Sequence, residues 1–248
     1  MKILVANPNT SAAVTDRLVA AGKLVASPGT ELLAMTAPRG VPYIATRAEA
    51  AIGSVVMLEM LAEKRGTFDA AIVAAFGDPG LGGARELFDF PVVGMAEAAM
   101  LVACTLGRKF AIVSFARALE PWFAEIVDWH GLAGRCAAIR TLDEAFRSID
   151  EVQEEKEQLL VDLAIGTVRN DGADVVILAG APLAGLANKI KARVPVPLVD
   201  GIQAAVTMAE GLVRLAPRKA IAGTYRRPGP KESKGLGKAL ADVIGHND

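Results

Sequence analysis

The sequence predicts an α/β protein of two pseudo-symmetric lobes, each a parallel sheet flanked by helices, with a ligand cleft between them. Two observations carry this expectation. Short apolar runs alternate with segments of helical periodicity along the 248-residue chain, the pattern of βα units around parallel sheets. The two halves also repeat one another. DAAIVAA from Asp69, followed by Gly80 and Leu81, aligns with DVVILAG from Asp174, followed by Gly185 and Leu186, at an offset of 105 residues. PVVG from Pro91 matches PLVD from Pro197 at 106, and ILVA from Ile3 matches AIVS from Ala111 at 108. Chance likeness between Ala/Val-rich units is the competing account, but offsets that agree this closely favour duplication. Residues 1–100 are expected to form the first lobe, 101–210 the second, with 211–248 returning to the first.

In chain order, residues 2–6 read as a first strand rather than a signal peptide, because Asn7, Pro8 and Asn9 end the apolar run at once. Helical periodicity follows over 10–26 and 46–64, then apolar runs at 69–75 and 92–94. The second half gives a helix over 96–106, a strand at 109–114 and a helix over 119–130. Cys136 then lies in RCAAIR, which looks like a strand. The segment 149–170 opens with Asp150, Glu151, Glu154 and Glu155, which suit the positive end of a helix, and its charges are expected to form a solvated face. Strands at 174–179 and 197–199 and a helix over 202–215 complete the repeat. The loop GTYRRPGPK from Gly223 and the final helix bear basic residues expected to be solvated.

Composition narrows the function. With 27 basic against 28 acidic side chains, the chain has no electrostatic footprint for a phosphate backbone, so no nucleic-acid partner is expected. No apolar stretch reaches the roughly 18 residues of a membrane span, and a cytoplasmic protein with no membrane contact is expected. Two cysteines, Cys104 and Cys136, exclude a disulfide framework and a cysteine-based zinc site. The two histidines, His130 and His246, are far apart and suggest no metal cluster. There is no P-loop, and Gly80-Leu-Gly-Gly83 does not complete a dinucleotide fingerprint, so no cofactor and no metal are expected. The partners expected are a small-molecule substrate and further copies of the chain, with Trp122, Phe123 and Trp129 as candidate interface residues.

Parallel sheets bind ligands beyond the carboxyl ends of their strands. The repeat therefore marks the candidate site: Asn9 and Thr10 after the first strand, Ala75, Phe76 and Gly77 with Asp78, Ser114 and Phe115, and Gly180, Ala181 and Pro182. These stretches contain no lysine or arginine, so the site suits a neutral ligand or a carboxylate held by backbone donors, hydroxyls and amides.

At these turns the sequence resembles the aspartate/glutamate/hydantoin racemase superfamily, most closely its hydantoin and allantoin racemase branch. The likeness rests on NPNT at Asn7, AAFGDPGL at Ala74, PVVGMAEA at Pro91, LAGAPLAGL at Leu178 and PLVDG at Pro197. The resemblance implies two pseudo-symmetric lobes around a substrate and a pair of cysteines, one per lobe, that remove and return the α-proton on opposite faces. Such a pair suits racemisation, which needs two groups differing in protonation on either side of a planar intermediate. The chain departs from the pattern at both positions: the first cysteine falls on Ala75 and the second on Gly180. The related arylmalonate decarboxylases keep the second-lobe cysteine alone, and this chain lacks that one too. Loss of both side chains is expected to enlarge the pocket. Cys104 and Cys136 read as buried small hydrophobes, and His130 as a helix C-terminal residue.

Other groups stand as candidates for the missing chemistry. Tyr43, which matches a family position near the substrate, can donate a hydrogen bond or a proton. Asp78 is the one carboxylate in the first-lobe turn, although Asp-Pro is also a capping signature. Asn9 can hold a carbonyl or cap the next helix, and Ser114 can bind an oxyanion or end its strand. Glu97 and Asp200 can pair across the lobes or serve as first-turn helix charges. The expected function is a superfamily enzyme, isomerase- or lyase-like, acting on a small amino-acid-derived or hydantoin-like compound without the two-cysteine mechanism, with Asp78 and Tyr43 as catalytic candidates. A non-catalytic binding homologue, or a hydantoin racemase inactivated at Ala75 and Gly180, is the alternative.

Overall fold

Strand β1 (Lys2–Asn7) shows why the apolar runs are continuous: Ile3 and Val5 face one hydrophobic cluster while Leu4 and Ala6 face another, so both sides of the sheet are covered. The computed structural model describes residues 1–247. With β2 (Glu31–Thr36), β3 (Ala70–Val73) and β4 (Val92–Gly94), β1 forms a parallel sheet in the order β2-β1-β3-β4. The second half builds β5 (Phe110–Ser114), β6 (Cys136–Thr141), β7 (Val175–Leu178) and β8 (Leu198–Asp200) into a second parallel sheet, β6-β5-β7-β8. The two sheets share one strand order, which is the duplication read from the sequence.

The first-half helices are α1 (Ala12–Lys23), α2 (Arg47–Lys64), α3 (Leu81–Leu87) and α4 (Met95–Leu106). Those of the second half are α5 (Glu120–Trp129), α6 (Val152–Asp171), α7 (Leu186–Ile190), α8 (Gly201–Leu215) and, near the chain end, α9 (Lys238–Gly245). Ser11, not Asn9 or Thr10, caps α1, its hydroxyl accepting the Val14 N–H. Thr46 and Glu49 form a reciprocal capping box on α2. The short α3 and α7 start after Gly80 and Gly185, both left-handed, and at seven and five residues show no readable period. The charges of α6 are not all solvated: Lys156 is buried with its ammonium between Glu144 and Glu155, and buried Gln153 donates to the carbonyls of Pro182 and Ala184.

The helix that leaves the last strand of each sheet packs on the opposite sheet. Thus α4 lies against β7 and β8, α8 lies against β3 and β4, and the two helices pack on one another. Ala98, Ala99, Ala205 and Ala209 are all buried in this central cluster, and such small side chains permit close helix approach. The other face of the first sheet is covered by α2, α3 and α9, the last through Leu240 and Val243. Among the described residues no helix is long and apolar enough to cross a membrane.

One polar tie fastens α8 to the first half. Buried Glu210 accepts from the Ser27 N–H (2.8 Å), the Ser27 hydroxyl (2.6 Å) and the Thr30 hydroxyl (2.5 Å), with Arg214 beside it. Burial pushes its pKa up, but these donors prevail and hold the carboxyl below the ordinary range. Glu210→Ala is expected to cost about 1–3 kcal/mol of stability at neutral pH, measured by denaturant unfolding. Because the folded-state pKa is lowered, that stability is present above the ordinary glutamate range and is lost as pH falls through the lowered value. The gap between parent and variant therefore closes in acid.

Candidate functional site

All eight strands run in parallel within their sheets, so the turns that follow β1, β3 and β7 gather at strand carboxyl ends. They enclose a narrow cavity of ≈ 30 Å³, lined by Asn9, Tyr43, Ile44, Ala75, Phe76, Leu119, Trp122, Phe123, Gly180, Ala181 and Pro182. Seven of the residues singled out from sequence are brought together here: Asn9, Tyr43, Ala75, Phe76, Gly180, Ala181 and Pro182. No lysine, arginine, carboxylate, imidazole or thiol lines the space.

Two polar side chains face it, and both offer donors. The Asn9 carbonyl oxygen accepts from the Asn7 amide (2.9 Å) and the Ser11 N–H (3.0 Å). Those bonds orient the Asn9 amide and leave its NH₂ group for a ligand. The Tyr43 hydroxyl is buried and has no protein partner. Burial, aided by the nearby Glu49 charge, pushes its pKa far up, so the phenol stays protonated and acts as a donor. An unpaired buried hydroxyl costs free energy that a ligand acceptor relieves. The rest of the wall is apolar, with Phe76 and Phe123 edge to face at 5.0 Å between centroids.

Trp122 and Phe123 line the cavity, a place the sequence reading did not give them. They are buried inside the chain rather than offered to another copy, and Trp129 alone of the three is exposed, at 54%. A signal was present in Gly77, whose φ of +142° suits glycine alone and whose absent Cβ makes room for the Trp122 indole.

Four expected residues lie behind the wall rather than in it. Phe115 is fully buried, tilted against Tyr43 at 5.8 Å and edge to face with Phe146 at 5.4 Å. The Ser114 hydroxyl donates to the Ala179 carbonyl at 2.8 Å, so it is spent on strand-end structure. The Thr10 N–H donates to Val41, which ties the first turn to the loop that carries Tyr43. Gly77 serves as the floor under Trp122. The pocket is not enlarged on the Gly180 side either. A Cβ at Gly180 would stand 2.9 Å from the Phe115 ring, and the residue sits at φ +112°, where side chains are strained.

The structure places Asp78, the expected catalytic carboxylate, outside the cavity lining and in a capping position. Its side chain is fully buried, turned away from the cavity, and accepts from the N–H groups of Ala96 and Glu97 at 2.8 Å each. It thus caps a helix distant in sequence, α4, rather than the short helix after Pro79. Burial raises its pKa against the pull of those donors. Glu97 and Asp200 do not pair. Glu97 binds Arg85 through both oxygens. Asp200 caps α8 through Ile202 and Gln203 and also accepts the Gly185 N–H at 2.6 Å. The cysteines stay remote from the cavity lining; burial raises the Cys136 thiol to about 11, which keeps it inert. Among the described residues no cluster of three His, Cys, Asp or Glu forms a metal-ligand set.

The two lobes thus use one carboxylate each but place it on opposite partners. In the first, Asp78 reaches from the turn to the helix start at Gly94, where a Cβ would collide with the Asp78 carboxyl. In the second, the repeat puts Leu183 in the place of Asp78 and Asp200 in the place of Gly94. Asp78→Leu and Gly94→Asp should each lower stability, by about 2–4 kcal/mol. The combined Asp78→Leu/Gly94→Asp variant should be more stable than the sum of the single losses predicts, which unfolding of all the variants would measure.

Comparison with known proteins follows the same outline. The Asp/Glu/hydantoin racemase family model matches residues 3–209. The hydantoin racemase of Paenarthrobacter aurescens is 33% identical over 234 residues, covering 94% of this chain and 99% of that protein. The solved allantoin racemase from Klebsiella pneumoniae superposes with a TM-score of 0.91 at 34% identity, covering 97% of this chain and 98% of the other. Allantoin racemase from Pseudomonas fluorescens gives 0.88 at 34%, covering 95% and 100%.

Proposed function

The chain belongs to the Asp/Glu/hydantoin racemase family, and from that premise we propose that it acts on a neutral hydantoin-like compound by carbonyl polarisation rather than by paired thiols. One observation carries the reading: the amide and hydroxyl at the cavity, those of Asn9 and Tyr43, both present N–H or O–H donors, and no charged side chain lines it. The complement of two donors without a cation is a ligand with carbonyl oxygens and no net charge. A hydantoin ring offers two carbonyls on a compact, nearly planar frame that apolar and aromatic walls can contact. The hydantoin and allantoin racemases that resemble this chain support the same class.

The chemistry follows from the donors. When the carbon beside a carbonyl loses its proton to water, the electron pair moves to the carbonyl oxygen, and the Tyr43 O–H and Asn9 N–H hold the resulting enolate. Water returns a proton to either face of the planar carbon, which gives the racemate. Tyr43 remains protonated throughout, and Ala75 leaves the ring room at one face, while at the other Phe115 occupies the space beside Gly180.

In heavy water, 5-substituted hydantoins should exchange their ring C–H for deuterium in the presence of the protein. Tyr43→Phe should slow that exchange by about 10²-fold, the usual worth of one such donor. Binding without exchange, read as ligand-dependent thermal stabilisation, would instead establish the second reading, a non-catalytic binding homologue. The absence of any carboxylate, imidazole or thiol from the cavity lining favours that alternative. Recovery of fast racemisation in an Ala75→Cys/Gly180→Cys variant would overturn both and mark the chain as an inactivated thiol racemase.

A further inference from the structure

His130 lies outside the cavity and takes no part in the chemistry above, yet it sits in a buried charged cluster between the two halves of the chain. It is the C-terminal cap residue of α5, and its side chain is 7% exposed. Its Nε2 lies 3.4 Å from Asp78 Oδ2 and its Nδ1 lies 3.7 Å from Glu97 Oε1. The other groups around it are Arg85, paired with Glu97, and the edge-on Trp129 ring at 4.6 Å.

The position matters because α5 does two jobs. It follows the second sheet in the chain, but Trp122 and Phe123 on it form part of the cavity wall. Besides His130, α5 meets the first half through the edge-to-face contact of Phe123 with Phe76 and through one ion pair. The Arg47–Glu125 pair is more than half exposed on both sides, and exposed pairs hold weakly. Trp122 rests on Gly77 by shape alone. Asp78, by contrast, is already anchored to the start of α4, in the same turn that follows Ala75. The imidazole is thus buried at the far end of α5 within 3.4 Å of that anchored carboxylate and 3.7 Å of Glu97, although its Nε2 makes no well-aligned hydrogen bond.

We propose that His130 is a positioning residue: seated between Asp78 and Glu97, it locks α5 onto the first-lobe turn and so sets where Trp122 and Phe123 stand in the cavity wall. The role is independent of which ligand the cavity takes.

The chain has two tryptophans, both on α5, so a Trp129→Phe background makes Trp122 the sole fluorescent reporter. In that background, His130→Ala should raise the acrylamide quenching of Trp122 at least about twofold and shift its emission to the red, with unfolding still cooperative. His130→Gln, which keeps an N–H donor, should fall between the two. A merely structural histidine would lower the melting temperature and leave Trp122 as protected in the folded state as before. That result overturns the proposal. Should His130→Ala fail to fold, hydrogen exchange on the unsubstituted protein decides the matter. The amides of residues 122–130 should open in one step with those of Ala96 and Glu97, which bond Asp78. Independent and faster exchange of the α5 amides would refute the latch.

Discussion

The packing of α4 against α8 is the constraint on which the rest of the molecule depends. Each helix continues from the last strand of one sheet and lies on strands of the other, so neither half owns a complete core. The central cluster runs from Ile3 and Ile72 through Ala98 and Ala205 to Ile112 and Val176. Burial of this kind is the main favourable term in folding, and here it cannot be collected by one half alone. The strand ends that form the cavity are thereby held at a fixed separation, and the cavity takes its dimensions from the helix pair.

Within that frame the buried carboxylates act as structural bolts rather than as acids. Asp78 and Asp200 each satisfy N–H groups at the start of the helix that crosses to the other sheet, α4 and α8. Glu210 secures the same α8 near its other end. Removing charged groups from water is costly unless every lone pair finds a donor, and at these three sites the donors are present. The lining of the cavity is left free of charged side chains, which suits a ligand whose recognition rests on hydrogen-bond donors and apolar contact.

Much of this was legible in the sequence. The offsets of 105–108 residues gave the two sheets of equal order, and the rule that ligands bind beyond strand ends placed Asn9, Ala75 and Gly180 at one cavity. Strand β2 was passed over although Leu32 to Met35 form a short apolar run; it is a half-exposed strand at the sheet edge, with no counterpart among the repeated segments that marked the other strands of its sheet. The fate of Asp78 was not legible either. Its partners, Ala96 and Glu97, are fixed by tertiary packing, and a carboxylate in a strand-end turn looks the same in one dimension whether it faces ligand or helix. Trp122 and Phe123 were misread for the converse reason: an aromatic helix face looks like an interface until a glycine elsewhere in the chain shows what covers it.

The contact between Gly180 and Phe115 bears on the history open to this protein. The ring fills the space that any side chain at position 180 would need, and the backbone there has settled into a conformation reserved for glycine. A substitution at 180 is therefore penalised until residue 115 has become smaller, while a smaller residue at 115 on its own leaves a void behind Tyr43. The order of the two changes matters, and each first step leads downhill in stability. The pair works as a ratchet, closing the shortest evolutionary path by which a nucleophile could enter that face of the cavity.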